Sequence, residues 1–236
     1  MKCRTLDSLG RQVVACRLCP RLVEHREEVA RVKRRAYRDW TYWGKPVPGF
    51  GDPRARLLIL GLAPGAHGAN RTGRVFTGDR SGLWLYRALH RAGLASQAES
   101  RERRDDLRLV DCYIGLVVRC VPPGNLPARA EIESCHPYLH EEVRLLERLE
   151  VVLALGRLAF DAALRLVEER RGARLRPRPR FAHGAVYEPG EGLPRLVASY
   201  HPSQQNTSTG RLTEEMLDQA ISRARPATRR GPGAGG

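Results

Sequence analysis

The spacing of apolar positions changes along the chain, and each change marks a different kind of element. Over the first forty residues Leu6, Leu9, Val13 and Val14, then Leu22, Val23, Val29 and Val32, recur at helical intervals. "CRLCP" at 16–20 breaks that pattern, and Pro20 suits the first turn of a new helix, where a missing N–H costs nothing. "YWGKPVPGFGDP" at 42–53 is a Pro/Gly-rich connection to a different regime. From there short continuous apolar runs at 56–60, 109–118, 151–156 and 195–200 read as strands. Helical stretches near 82–94, 128–148 and 157–170 separate them, and 211–225 reads as a closing helix. Strands apolar on both faces, alternating with helices, predict an α/β fold whose parallel sheet is covered on both sides. "HGAVYEPG" at 183–190 is expected to add a hairpin or edge strand.

Without an internal repeat or a long linker, residues 1–225 are expected to form a single domain, with a disordered tail over 226–236. Open α/β sheets place ligands beyond the carboxyl ends of their strands, which directs attention to 61–82, 119–127 and 201–210.

Charge narrows the class of partner. The 41 Lys+Arg residues outnumber the 26 Asp+Glu, a net charge of +15, which favours a polyanion and nucleic acid first. Part of that charge is expected on solvated helix surface, with "RERRDD" at 101–106 as the example. No apolar run approaches the roughly 20 residues of a membrane span, so a cytoplasmic, membrane-free protein is expected. There, six cysteines point to a metal or cluster rather than to disulfides.

Cys16 and Cys19, two residues apart, can turn both sulfurs toward one centre. Cys120, just after a strand, and Cys135, inside a predicted helix, form a wider second pair. Four thiolates would pin the N-terminal helices onto the sheet. By count they serve zinc or an iron–sulfur cluster equally well, while the split second pair is unlike the two tight knuckles of a zinc ribbon and tilts toward [4Fe–4S]. Cys3 reads as a terminal thiol and Cys112 as a core residue.

"GLAPGAHGANRTGRVFTGDRSG", Gly61 to Gly82, holds six glycines and one carboxylate. Its 68–75 segment mimics a phosphate loop, but Arg74 and Val75 stand where the lysine and the magnesium-binding hydroxyl belong, which disfavours nucleotide triphosphates. Bare backbone instead lets amides approach a flat polar ligand such as a nucleobase, with Phe76 available to stack on it. His201, at the mouth of the strand 195–200, leads "HPSQQNTSTG", whose hydroxyls and amides suit DNA contacts. His67 is a weaker candidate, and the remaining histidines read as structural.

Taken together, "CRLCPRL", "GLAPGAHGANRTGRVFTG", "VVRCVPPGN" and "SYHPSQQNTSTGRLT" resemble the uracil-DNA glycosylase superfamily along nearly the whole chain. The cysteine set resembles its iron–sulfur families 4 and 5. Leu62, Ala69, Asn70 and Leu116 stand where family 4 would have its acids and its base-reading Asn, so the likeness is to family 5, the B-type.

The resemblance implies a three-layer α/β/α sandwich around a four-stranded, mainly parallel sheet, with a [4Fe–4S] cluster on Cys16, Cys19, Cys120 and Cys135. It implies a monofunctional glycosylase that flips deaminated bases, uracil with hypoxanthine and xanthine, out of DNA and leaves an abasic site. His201, with the amides near Ala63, is the expected donor to the base. Asp79 is expected at the water or the sugar cation, beside its alternative role as a helix N-cap. Phe76, Asn70, Asn125 and Asn206 complete the substrate-binding set, and action as a monomer is expected. A non-catalytic iron–sulfur DNA-binding or redox-sensing module is the alternative.

Overall fold

The computed structural model describes residues 2–226, so the expected tail, apart from Pro226, lies outside the described residues. Two helices open the chain, α1 (Leu6–Val14) and α2 (Pro20–Val32), followed by β1 (Phe50–Gly51) and β2 (Leu57–Gly61). Next come α3 (Ala69–Thr72), α4 (Arg80–Arg91), β3 (Cys112–Leu116) and α5 (Arg129–Leu145). The second half contains β4 (Val151–Leu155), α6 (Arg157–Arg171), β5 (Val186–Tyr187), β6 (Arg195–Ser199), α7 (Gln204–Ser208) and α8 (Glu214–Arg223).

The sheet runs β1-β3-β2-β4-β6-β5. Its four middle strands are parallel, as the continuous apolar runs predict. Two-residue strands extend it at both edges, β1 antiparallel to β3 and β5 antiparallel to β6, so the sheet is six-stranded and mixed rather than four-stranded. β5 is the edge strand expected within 183–190, whereas the Phe-Gly pair of β1 is too short to carry a period.

Side-chain alternation divides the core into two layers. Leu57 and Ile59 of β2 pack with Leu85 and Leu89 of α4 and Leu217 and Ile221 of α8. Leu58 and Leu60 point the other way, toward Leu139 of α5 and Phe160 and Leu164 of α6. Helices therefore cover both faces of the parallel sheet. Local signals start several of them: the side chains of Thr5, Asp79, Ser203 and Thr213 each accept an N–H in the first turn, and Pro20 opens α2.

Two expectations are corrected and one gains detail. Cys3 is a free thiol near the terminus, as expected, but it is buried beside Leu9 and Val13, and its N–H donates to the Glu141 carboxylate. The run 109–118 yields only five strand residues, because Asp111 takes a φ of +52° and accepts from the Arg56 N–H at 3.0 Å. Residues 101–106 are not a helix surface but a bend, closed on Asp105, which accepts from the Arg101 N–H at 2.8 Å and from Arg74 Nη2 at 2.6 Å.

Candidate active site

Loops leaving the carboxyl ends of β2, β3 and β6 enclose a cavity of about 640 Å³. After β2 come Leu62, Ala63, Pro64 and Gly65, joined by Leu116 at the end of β3 and by Gly124, Asn125 and Leu126 beyond it. His201, Ser203, Gln204 and Gln205 follow β6, while Ala69, Phe76, Asp79 and Ser81 close the wall. The strand order reverses beside β2, since β3 lies on one side of it and β4 on the other, and such a switch point opens a crevice.

Asp79 explains the glycines. As N-cap of α4 its Oδ1 accepts from the Gly82 N–H at 2.9 Å. Its Oδ2 lies against the loop, where a Cβ added to Gly68 would stand 1.9 Å from it and one added to Gly65 2.8 Å. Bare backbone therefore makes room for a carboxylate, and the capping and cavity-lining positions of Asp79 coexist. Burial raises its pKa above the ordinary carboxylate value, against the Gly82 and Ser81 N–H groups and the Arg71 charge, which favour the anion.

Phe76 sits at the other end of the same loop with a φ of +50°, and its ring centre lies 5.7 Å from that of His201. Burial alone pulls His201 down to about 4. Its imidazole is consequently neutral at physiological pH and carries one N–H donor. The His201 carbonyl accepts from Asn206 Nδ2 at 2.8 Å, so Asn206 braces this loop from behind instead of lining the cavity.

Asn70 also faces elsewhere. It is buried, its Nδ2 donates to the Arg26 carbonyl at 3.2 Å, and its Oδ1 has no partner. Ala63, Phe76, Asp79, Asn125 and His201 thus share one cavity, with Asn70 and Asn206 outside its lining. His67 pairs with the Tyr42 hydroxyl at 3.0 Å through Nδ1 and is likewise not among the lining residues.

A second surface, unmarked by any motif in the sequence, adjoins the cavity. A groove of about 410 Å³ runs past Tyr37, Trp40, Arg71, Arg80 and Arg101 and shares Asp79 with the main cavity. Arg71 lies beneath two rings, 4.0 Å from the Tyr37 centre and 4.1 Å from that of Trp40, while its Nε and Nη2 donate to the His67 and Gly78 carbonyls. The only early signal was aromatic residues scattered among arginines at 34–43. Arg74, the false phosphate-loop residue, is buried against Ser100 and Asp105.

Electrostatic interactions link the four candidate ligand cysteines, Cys19 with Cys16, Cys120 with both, and Cys135 with Cys19 and Cys120. Burial pushes the Cys135 thiol up to about 12 and raises Cys19 and Cys120 as well. Among the described residues no group of three or more His, Cys, Asp or Glu side chains is arranged to hold a single ion.

An apolar slot at the carboxyl ends of a parallel sheet, holding one neutral imidazole and one half-buried carboxyl group on a basic chain, fits an α/β enzyme that acts on nucleic acid. Residues 48–225 match the model of the Uracil DNA glycosylase superfamily, and the chain belongs to that superfamily. It is 56% identical over 222 residues to the type-5 uracil-DNA glycosylase of Mycobacterium bovis, covering 94% of this chain and 81% of that protein. The type-5 uracil-DNA glycosylase of Thermus thermophilus is 52% identical, with 93% and 96% covered, and that of Pyrobaculum aerophilum 43%, with 92% and 91% covered.

Proposed function

We propose that the chain is a monofunctional DNA glycosylase that hydrolyses the N-glycosidic bond of uracil, and of other deaminated bases, in DNA. The observation that carries this reading is the joint placement of neutral His201 and half-buried Asp79 in one apolar cavity.

The bond is unreachable inside a base stack, so the nucleotide must be extruded, at a cost of a few kcal/mol. Within the cavity the Phe76 ring supplies a face for the base. As the bond breaks, negative charge grows on the base and positive charge on the sugar. The His201 N–H and the amides near Ala63 donate to the base oxygen, and a neutral donor serves better here than a cation that would have to be dehydrated. Asp79, as the carboxylate, stabilises the sugar cation or orients the water, and Asn125 at the rim holds that water or the DNA backbone. Asn70 and Asn206 support the walls.

Leu62 and Leu116 offer no hydrogen bond with which to discriminate one base edge from another. That supports acceptance of hypoxanthine and xanthine beside uracil. The groove through Trp40, Arg80 and Arg101 continues from Asp79, which supports its use by the strand adjoining the extruded nucleotide. Because one chain walls the cavity, we read the active species as a monomer, with residues 1–225 as one domain. No helix among the described residues is long and apolar enough to cross a membrane, and a cytoplasmic location rests on the reading of the cysteines as ligands.

Cys16, Cys19, Cys120 and Cys135 would hold a [4Fe–4S] cluster. The fit rests on their mutual electrostatic interaction and on the buried Arg26, whose Nη1 donates to Cys120 Sγ at 2.9 Å while its Nε lacks a partner. When bound, the cluster supplies cross-links between the N-terminal helices and the sheet; the hydrolysis itself needs only side chains and water. Incubation of the protein with duplexes carrying uracil, hypoxanthine or xanthine, followed by hot alkali, tests the function. Strand cleavage at all three is expected. Cleavage at uracil alone overturns the broad specificity, and none at any overturns the glycosylase reading.

A further inference from the structure

Two buried guanidinium groups act on the four cysteines, Arg26 on Cys120 and Arg119 on Cys135. Arg26 Nη1 donates to Cys120 Sγ at 2.9 Å and to the Cys16 carbonyl at 3.3 Å. A charged donor at a sulfur suits anionic sulfur, because thiolates accept hydrogen bonds far better than thiols do.

Only one of these donors brings an uncompensated charge into the interior. The charge of Arg119 has a buried counter-ion, Glu142, whose Oε2 lies 2.6 Å from its Nη2, although its Nε and Nη1 lack partners. Arg26 is 2% exposed, and its nearest carboxylate, Glu27, stands 3.7 Å away, is nearly half exposed and is bonded at 2.6 Å to Arg17 instead. A buried guanidinium with so weak a counter-charge, and with Nε unsatisfied, is costly unless an anion accompanies it. A [4Fe–4S] core on four thiolates carries about two negative charges, which is the anion this position lacks.

Arg26 also reaches the base-binding loop. Its carbonyl accepts from Asn70 Nδ2, and the Asn70 N–H donates at 3.0 Å to the Gly65 carbonyl, in the wall that receives Asp79.

We propose that Arg26 is the cluster's charge partner and positioning residue: its guanidinium sets the reduction potential through Cys120, while its carbonyl anchors the glycine-rich loop through Asn70. This rests on the reading that the cysteines hold an iron–sulfur cluster. Positive charge and hydrogen bonds at the sulfurs favour the reduced, more negative cluster and so raise its potential. Removing Arg26 must lower that potential, and removing the competing charge of Glu27 must raise it.

The test is voltammetry of the purified holoprotein, with iron content and visible absorption measured on the same samples. The expected result is a shift to more negative potential in Arg26→Gln, a smaller shift in Arg26→Lys, and a shift in the opposite direction in Glu27→Gln, a partly exposed site that leaves folding intact. Asn70→Ala should leave the potential in place yet raise the KM for uracil-containing DNA. Iron-loaded variants with unmoved potentials, or Glu27→Gln moving in the negative direction, would overturn the role of Arg26 alone. Wild-type protein that purifies without iron would overturn the cluster reading beneath it.

Discussion

At the scale of single residues, the cavity combines two groups that burial drives in opposite directions. His201 is kept neutral and the Asp79 pKa is raised, so the proposed roles need a pH at which the histidine is a neutral donor and the aspartate an anion. The acid limb of the rate profile is therefore expected to follow Asp79 and to lie above the pKa of a free aspartate; a profile whose limb disappears in Asp79→Asn checks this. His201 also has a stability consequence. The unfolded chain protonates it at the ordinary value near 6.5, the native chain only near 4, so between these values the unfolded state binds the extra proton. Stability contributed here is present above pH 6.5 and lost as pH falls toward 4, by up to about 3 kcal/mol. Urea unfolding of wild type and His201→Gln at pH 7 and pH 4.5 should show wild type losing more stability than the variant.

Residue chemistry was only partly legible in the sequence. Asp79, Phe76, His201, Ala63 and Asn125 follow strand ends, and position at a strand end is something a one-dimensional pattern carries. The directions of Asn70 and Asn206 are not, because an amide can serve a ligand or a neighbouring carbonyl, and only the packed loop decides between them. Arg26 looked like any other helix arginine among the basic residues at 21–38, since burial leaves no mark on a residue's identity.

At the scale of elements, the glycine-rich loop and the start of α4 form one device. The loop passes so close to Asp79 that a methyl group at position 68 would displace the carboxylate. Gly68→Ala is expected to retain the fold, since the Asp79–Gly82 cap can re-form, but to lower single-turnover excision at least about 10-fold, in line with the sensitivity of catalysis to small misplacements. Circular dichroism beside the rate separates the two effects. The four parallel strands and their covering helices were readable because each is a run of uniform period. β1, α3 and α7 were not, being two to five residues long and held by the sheet edge and loops around them.

At the scale of the whole molecule, a net charge of +15 meets a polyanion, and the groove beside the cavity concentrates arginine where the strand would leave Asp79. Affinity for an abasic-analogue duplex should fall steeply with salt, and Arg80→Ala or Arg101→Ala should each reduce the slope of log K against log salt by about 1. Slopes equal to wild type would place the strand elsewhere. Trp40→Ala should weaken binding with little change in salt slope, since stacking releases no counterions.

The central claim is that Asp79 acts through its charge and not only as a cap. Asparagine caps helices as well as aspartate does, so Asp79→Asn removes the charge while keeping the helix start. Single-turnover release of uracil from duplex DNA by wild type and Asp79→Asn decides the matter. The account predicts a rate about 10²–10³-fold lower with unchanged affinity for abasic-analogue DNA; equal rates would reduce Asp79 to a cap and contradict it.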